Sequence, residues 1–139
     1  MIFLLGCIPQ TFFQTVTVTG QIQAEGSGPL LAEVHHARGA ETGTLAYTGG
    51  YLETLSPEED GSFSLTLTVP TDEGSGLAVY AWQDSDGDGL LCGLEEDNEL
   101  AGAATTETLD FEMSLEVWLT EPCAGAEVAI AMALESAQP

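Results

Sequence analysis

Positive charge is almost missing from this chain. Its 139 residues include a single basic side chain, Arg38, against 23 Asp and Glu, for a formal net charge of −22. Without Lys and Arg a surface cannot neutralise phosphates, which excludes nucleic-acid binding. It also offers no charged face to anionic lipid headgroups. Long apolar runs are missing too: no stretch reaches the roughly 18 residues that a spanning helix needs. Cysteine is scarce, with Cys7, Cys92 and Cys123 in no C-x-x-C or Cys/His grouping, so a structural zinc site is not expected. Neither Ser nor Cys stands in a nucleophile-elbow context, and no spacing among the carboxylates selects a glycosidase pair.

What remains is acidic but not disordered. Apolar residues make up 44% of the chain, too many for a solvated acidic tail, and the length suits one domain with a real core. Such a charge favours cations or cationic partners, and bound cations or high salt relieve its self-repulsion. A solvated surface suited to a salty habitat is the plain alternative for the carboxylates outside residues 84–99.

Alternation of period 2 dominates the pattern. "TVTVTGQIQ" puts Val16, Val18 and Ile22 on one face, with Thr and Gln on the other. "SFSLTLTV" does the same with Phe63, Leu65, Leu67 and Val69. In "LDFEMSLEVWL" the inward set is Leu109, Phe111, Met113, Leu115, Val117 and Leu119. Weaker strands are predicted over 30–36, 44–47, 51–55 and 77–82. Turn clusters separate them, such as Gly26-Ser27-Gly28-Pro29 and Asp60-Gly61. The tail "GAEVAIAMALES" reads either as an Ala-rich helix or as a last strand, in which Val128, Ile130, Met132 and Leu134 share a face. The strand is preferred, because residues 122–125 suit a hairpin. The expected fold is all-β, an antiparallel sandwich of about seven or eight strands, transthyretin-like or Ig-like. One domain covers residues 15–139.

"VTVTGQI", "DGSFSLTLTVP" and "GLAVYAWQDSDGDG" together resemble the transthyretin-like group of β-sandwiches, which includes the carboxypeptidase regulatory-like domains. The residues that carry the resemblance are Val18, Gly20 and Ile22; Gly61, Phe63, Leu65 and Pro70; and Val79 and Ala81. They span about half the chain, and each piece is generic to sandwiches. The resemblance implies a non-catalytic module for folding, adhesion, or contact with a protein or glycan. The group's hydroxyisourate hydrolases need a Tyr-Arg-Gly-Ser motif, which this sequence lacks.

The densest acidic stretch is "WQDSDGDGLLCGLEED", residues 82–97. Asp84, Asp86 and Asp88 occupy loop positions 1, 3 and 5, Gly89 position 6 and Glu95 position 12, satisfying D-x-[DN]-x-[DN]-G-x5-E. The spacing has a physical reason. A hard cation takes six to eight oxygens at about 2.3–2.6 Å, and alternate residues of a tight loop aim carboxylates at one centre. Leu90 would add a backbone carbonyl and Glu95 two oxygens. Cys92, at position 9, is a poor ligand. The flanks depart from an EF-hand: a strand precedes the loop, and a poor helix former follows it. The stretch therefore resembles the isolated DxDxDG loops found between strands of extracellular modules. Glu96, Asp97 or Glu99 could then take the place of Glu95. Calcium is the expected ion, and a polar turn that merely looks like a site is the alternative.

Leu4-Leu5-Gly6-Cys7 resembles a bacterial lipobox, in which the chain is cut before a Cys that is then acylated. The apolar stretch is shorter than a normal secretory core and carries no basic residue before it. Residues 1–14 are read as a truncated lipoprotein-type signal and tether, against the alternative of a buried strand with a core Cys. Lipidation of Cys7 would leave Cys92 and Cys123, which an oxidising compartment would bridge; two free core cysteines are the other reading. His35 and His36 should face opposite sides of a strand, leaving one of them beside Glu33 as a weak metal or acid/base candidate. Tyr47, Tyr51, Tyr80, Trp82 and Trp118 are expected in the core rather than as an exposed sugar platform.

These readings converge on an exported, calcium-binding, lipid-anchored module of the bacterial cell envelope. It would touch the membrane only through Cys7 and contact an unknown protein or glycan. A metal-assisted hydrolase using the loop carboxylates is the alternative; it would need an open coordination position and an adjoining cleft. Diffuse buffering of cations by the acidic surface is a third reading.

Overall fold

The structure, a computed structural model, describes residues 13–39, 45–46, 50–70, 76–92, 99–106 and 109–136. The strands are β1 (Phe13–Gln23), β2 (Leu30–Gly39), β3 (Leu45–Ala46), β4 (Tyr51–Leu55), β5 (Ser62–Pro70), β6 (Gly76–Gln83), β7 (Leu100–Thr105), β8 (Glu112–Trp118) and β9 (Glu121–Pro122), and one helix follows, α1 (Ala126–Ser136). The strands form two sheets, ordered β5-β1-β8 and β3-β2-β6-β7-β9, with β4 also paired to β2. The protein is thus an all-β sandwich, as its alternation predicts. One pairing departs from the antiparallel expectation: β8 runs parallel to β1, with Thr17 opposite Glu112 and Gln23 opposite Trp118.

The alternating strands supply the core between the sheets. Val16, Val18 and Ile22 of β1 meet Phe63, Leu67 and Val69 of β5 and Met113 and Val117 of β8, all buried. From the other sheet come Ala32, Val34, Leu77, Val79 and Ala81. The wet face of β1 and β5 is a ladder of hydroxyls, with Thr17 and Thr66 2.9 Å apart and Thr15 and Thr68 3.3 Å apart. Phe111 was expected inward but is 74% exposed. It lies one residue before β8 begins, where the pleat does not yet set its direction.

β6 has no alternation because neither of its faces is wet. Leu77, Val79 and Ala81 point into the sandwich, while Ala78 and Tyr80 point outward and are equally buried. What covers the outer face is α1, and here the sequence reading was wrong. The tail is a helix, not a last strand. Its buried residues are Ala129, Ile130 and Leu134, whereas Val128 and Met132 face solvent. That spacing is helical, three or four residues apart. A helix of 11 residues is marginal alone. It is held by Ala78, Tyr80 and Ala101 beneath it and by the Tyr80 hydroxyl, which donates to the Ala124 carbonyl at 2.8 Å. Burial raises the pKa of that phenol, and the charge of Glu33 raises it further.

The aromatic residues are not all in the core. Tyr80 is buried and Trp82 half-buried, but Tyr51 and Trp118 are exposed; Tyr47 lies outside the described residues. His35 and His36 are both buried, at 5% exposure each. They face opposite sides of β2, as expected, His35 lying opposite Ala78 of the outer cluster and His36 opposite Leu77 of the core. His35 Nε2 lies 2.8 Å from Glu33 Oε2.

Helix and strand assign different faces to the tail, so two substitutions separate them. Ile130→Ala should cost about 2–5 kcal/mol of unfolding free energy, as expected for a filled core site. Val128→Ala should stay within about 0.5 kcal/mol. Urea unfolding of both variants checks this, and equal losses would contradict the helical face.

Candidate metal centre

The acidic loop leaves β6 at Asp84 and returns at Glu99, one residue before β7. Its first half folds on its own carboxylates. The Asp88 N–H donates to Asp86 Oδ1 at 3.2 Å, and the Leu90 N–H to Asp88 Oδ1 at 2.8 Å. The Gly89 N–H reaches back to Asp84 Oδ2 at 2.9 Å. Gly87 and Gly89 have φ of 74° and 77°, left-handed conformations that glycine adopts freely. The i to i+2 bonds are Asx turns, which Asp favours for its short acceptor side chain.

These turns gather oxygens. Asp84, Asp86, Asp88 and Glu99 each bring a carboxylate oxygen within 4.8 Å of the others. This is a group that could hold a metal ion. Two members are buried, Asp84 at 4% exposure and Glu99 at 1%. Two are exposed, so the cluster opens to solvent on the side of Asp86 and Asp88.

Glu99 joins the two ends of the loop. Its Oε2 accepts the Ser85 N–H at 2.6 Å and its Oε1 the Cys92 N–H at 2.7 Å. Its own carbonyl accepts the Cys123 N–H at 2.8 Å. Cys92 and Cys123 are disulfide-bonded, with Cα atoms 5.5 Å apart. The bridge spans 31 residues, a closure worth about 3–4 kcal/mol in the chain-entropy model. Both cysteines take positive φ, 46° and 55°, a conformation costly for non-glycine residues that the bridge and the Glu99 contacts hold in place.

Electrostatically the cluster is unfinished. Burial pushes the Asp84 carboxyl up, but the N–H groups of Gly89 and Gly87 and hydrogen bonding with Asp86 and Glu99 together hold it below the usual range. Asp88 is shifted the other way. The Leu90 N–H lowers it, but desolvation and the charges of Asp86 and Asp84 outweigh that donor and raise it. Most telling is Asp84 Oδ1, which is buried and has no hydrogen-bond partner among the described residues. A buried carboxylate oxygen without a donor is costly, and a cation in the cluster is what would complete it.

Of the residues assigned from sequence, Asp84, Asp86 and Asp88 are brought together. Leu90, assigned for its carbonyl, donates its N–H to Asp88 and has an exposed side chain. Glu95 and Cys7 lie outside the described residues. Glu99 is the member that the D-x-D-x-D-G spacing did not single out, although it was among the carboxylates able to close the shell. Its signal is its place directly before the small apolar strand "LAGAAT", which draws it inside. No family model matches this chain, and no curated protein matches it in sequence.

Glu99 should act as a clamp even without a cation. In Glu99→Gln one of the two backbone N–H groups would face an amide donor instead of an acceptor. With EDTA present, urea unfolding should show a loss of about 1.5–3 kcal/mol, the scale of a hydrogen bond to a charged group. Glu112→Gln, at an exposed carboxylate, should be near neutral. Equal stability of the two variants would remove the clamp.

Proposed function

We propose that this chain is a non-catalytic calcium-binding β-sandwich module of an exported, lipid-anchored envelope protein that contacts another protein or a glycan. The single observation that carries the reading is the buried Asp84 Oδ1, without a donor among the described residues, within a four-carboxylate cluster. A span of 4.8 Å is about the diameter of a calcium shell, whose ligands lie at about 2.3–2.6 Å on either side of the ion. Asp84, Asp86, Asp88 and Glu99 would supply carboxylate oxygens and Leu90 a carbonyl, with Glu95 a further ligand from the same loop. Magnesium suits this set less well, because it keeps several waters and uses one or two carboxylates. The ion's role is structural. It would relieve the repulsion among the Asp residues and fix the loop already tied by Glu99 and the disulfide.

The disulfide supports an oxidising compartment, and with Cys7 in its lipobox-like setting it favours the cell envelope. The sandwich and the calcium loop between strands also favour the transthyretin-like reading, in which such domains are contact modules.

Thermal unfolding of the full chain tests the ion. Calcium at about 1 mM should raise the midpoint above that in EDTA by several degrees. Ligand at 100 times its dissociation constant adds about 2.7 kcal/mol. Magnesium at the same concentration should do less, and Asp84→Ala/Asp86→Ala should abolish the rise. The shift should also shrink as pH falls from about 7 toward 4.5, because protons compete for carboxylate ligands and Asp88 holds its proton unusually well. An equal rise in the variant would end the calcium reading. The anchor is tested separately, by labelled palmitate fed to a bacterial host: Cys7 should take up label, and Cys7→Ala should not.

A further inference from the structure

Away from the loop, a groove of about 410 Å³ lies between β7, β8 and α1. That is within the size range of small ligand sites. Small residues line it: Gly102, Ala103 and Ala104 on β7, Ala129 and Ala133 on α1. Gly102 has no room for a side chain, since a Cβ there would overlap the Trp118 carbonyl. The walls are Trp118 and Met132, at 59% and 39% exposure. At the rim stand two carboxylates, Glu116 and Glu121. Glu116 is oriented by the Gln23 amide, which donates to it at 3.1 Å.

Small apolar residues, an exposed indole and a pair of carboxylates are the elements that receive an amphipathic cation. The stem of a Lys or Arg packs on small apolar residues, its head sits on the ring face, and the carboxylates neutralise it. A neutral sugar would use the indole but leave the charge of the rim unanswered. This chain has almost nothing to put there itself. Its single Lys or Arg is Arg38, on β2 opposite Ala46, and none of the groove's described lining residues is basic.

We propose that the groove between β7, β8 and α1 binds a Lys- or Arg-bearing segment of a basic protein partner, with the cationic side chain over Trp118 and between Glu116 and Glu121. This gives the proposed module's partner a chemistry. It rests on that reading only in taking the chain to be a contact module, and measuring in EDTA keeps its failure distinct from failure of the calcium site.

The chain has two tryptophans, Trp82 and Trp118, so their ¹⁵N indole signals report the site directly. The probe is tetra-arginine amide, titrated into the full chain with EDTA at about 0.15 M salt, where diffuse attraction is screened. The Trp118 signal should move and saturate at one peptide per chain, while that of Trp82 stays. Glu116→Gln/Glu121→Gln should weaken binding at least about tenfold, the scale of one or two charge and ring contacts. Trp118→Ala, at an exposed position that leaves the core intact, should weaken it comparably, as read by calorimetry. Glu53→Gln/Glu58→Gln removes the same charge from exposed sites elsewhere and should change affinity less than about twofold. An equal loss in that control, or binding of many peptides per chain, would reduce the effect to net charge and overturn the site. A shift of Trp118 with cellohexaose but not with the peptide would assign the groove to a glycan and overturn it as well.

Discussion

Buried carboxylates in this protein must be stabilised without Lys or Arg. One arginine serves 23 acidic residues, so the usual counter-ion is absent from nearly every local environment. Three substitutes remain. The backbone can donate, as it does to both oxygens of Glu99 and to one oxygen of Asp84. A histidine can share a hydrogen bond, as His35 does with the partly exposed Glu33 at 2.8 Å. Otherwise the charge must come from outside the chain. Asp84 Oδ1 has neither among the described residues. The same scarcity leaves Glu116 and Glu121 of the β7–β8–α1 groove without a basic side chain among its described lining residues.

The fold was legible wherever one face of a strand is wet. β1, β5 and β8 alternate because Thr, Ser and Glu face water while Val, Phe and Met face the core. The strand over 77–82 was legible too, but not the second layer that covers it. β6 reads as a plain apolar run, since Ala78 and Tyr80 are as buried as Leu77 and Val79. The tail misled for a related reason. Alanine at alternate positions mimics a strand when Val128, Ile130, Met132 and Leu134 are counted together. In the helix only Ile130 and Leu134 of those four turn inward, toward the outer face of β6. The buried second face of β6 and the helical tail are two halves of one fact, and neither half states it alone. The parallel pairing of β1 with β8 was not legible either, because alternation fixes a strand's faces but not its direction.

The candidate metal centre divides along a similar line. Asp84, Asp86 and Asp88 could be read from spacing because their geometry is local: each side chain bonds a backbone N–H two to five residues on. Glu99 answers to the tertiary structure. It comes to the cluster because β7 pairs with β6, Ala101 lying opposite Trp82, which returns the chain to where the loop began. Spacing rules describe a loop closed by its own flanking helices. Here two paired strands close the loop, and the fourth carboxylate falls where their register puts it.

That register also ties the loop to the rest of the molecule. Glu99 accepts the Cys123 N–H, and the disulfide reaches the same residue from Cys92. Immediately before Cys123, β9 pairs Glu121 with Ala101 and Pro122 with Leu100. Immediately after it, the Ala124 carbonyl receives the Tyr80 hydroxyl and α1 begins. Residues 120–126 therefore have the acidic loop on one side and the groove on the other, with Thr120 and Glu121 in the groove's lining. Their backbone has few hydrogen bonds of its own, because β9 is two residues long. What fixes them is the clamp at Glu99, the disulfide and the Tyr80 hydroxyl. The shape of the groove thus depends on the same few contacts that close the loop, although the two sites share no ligand.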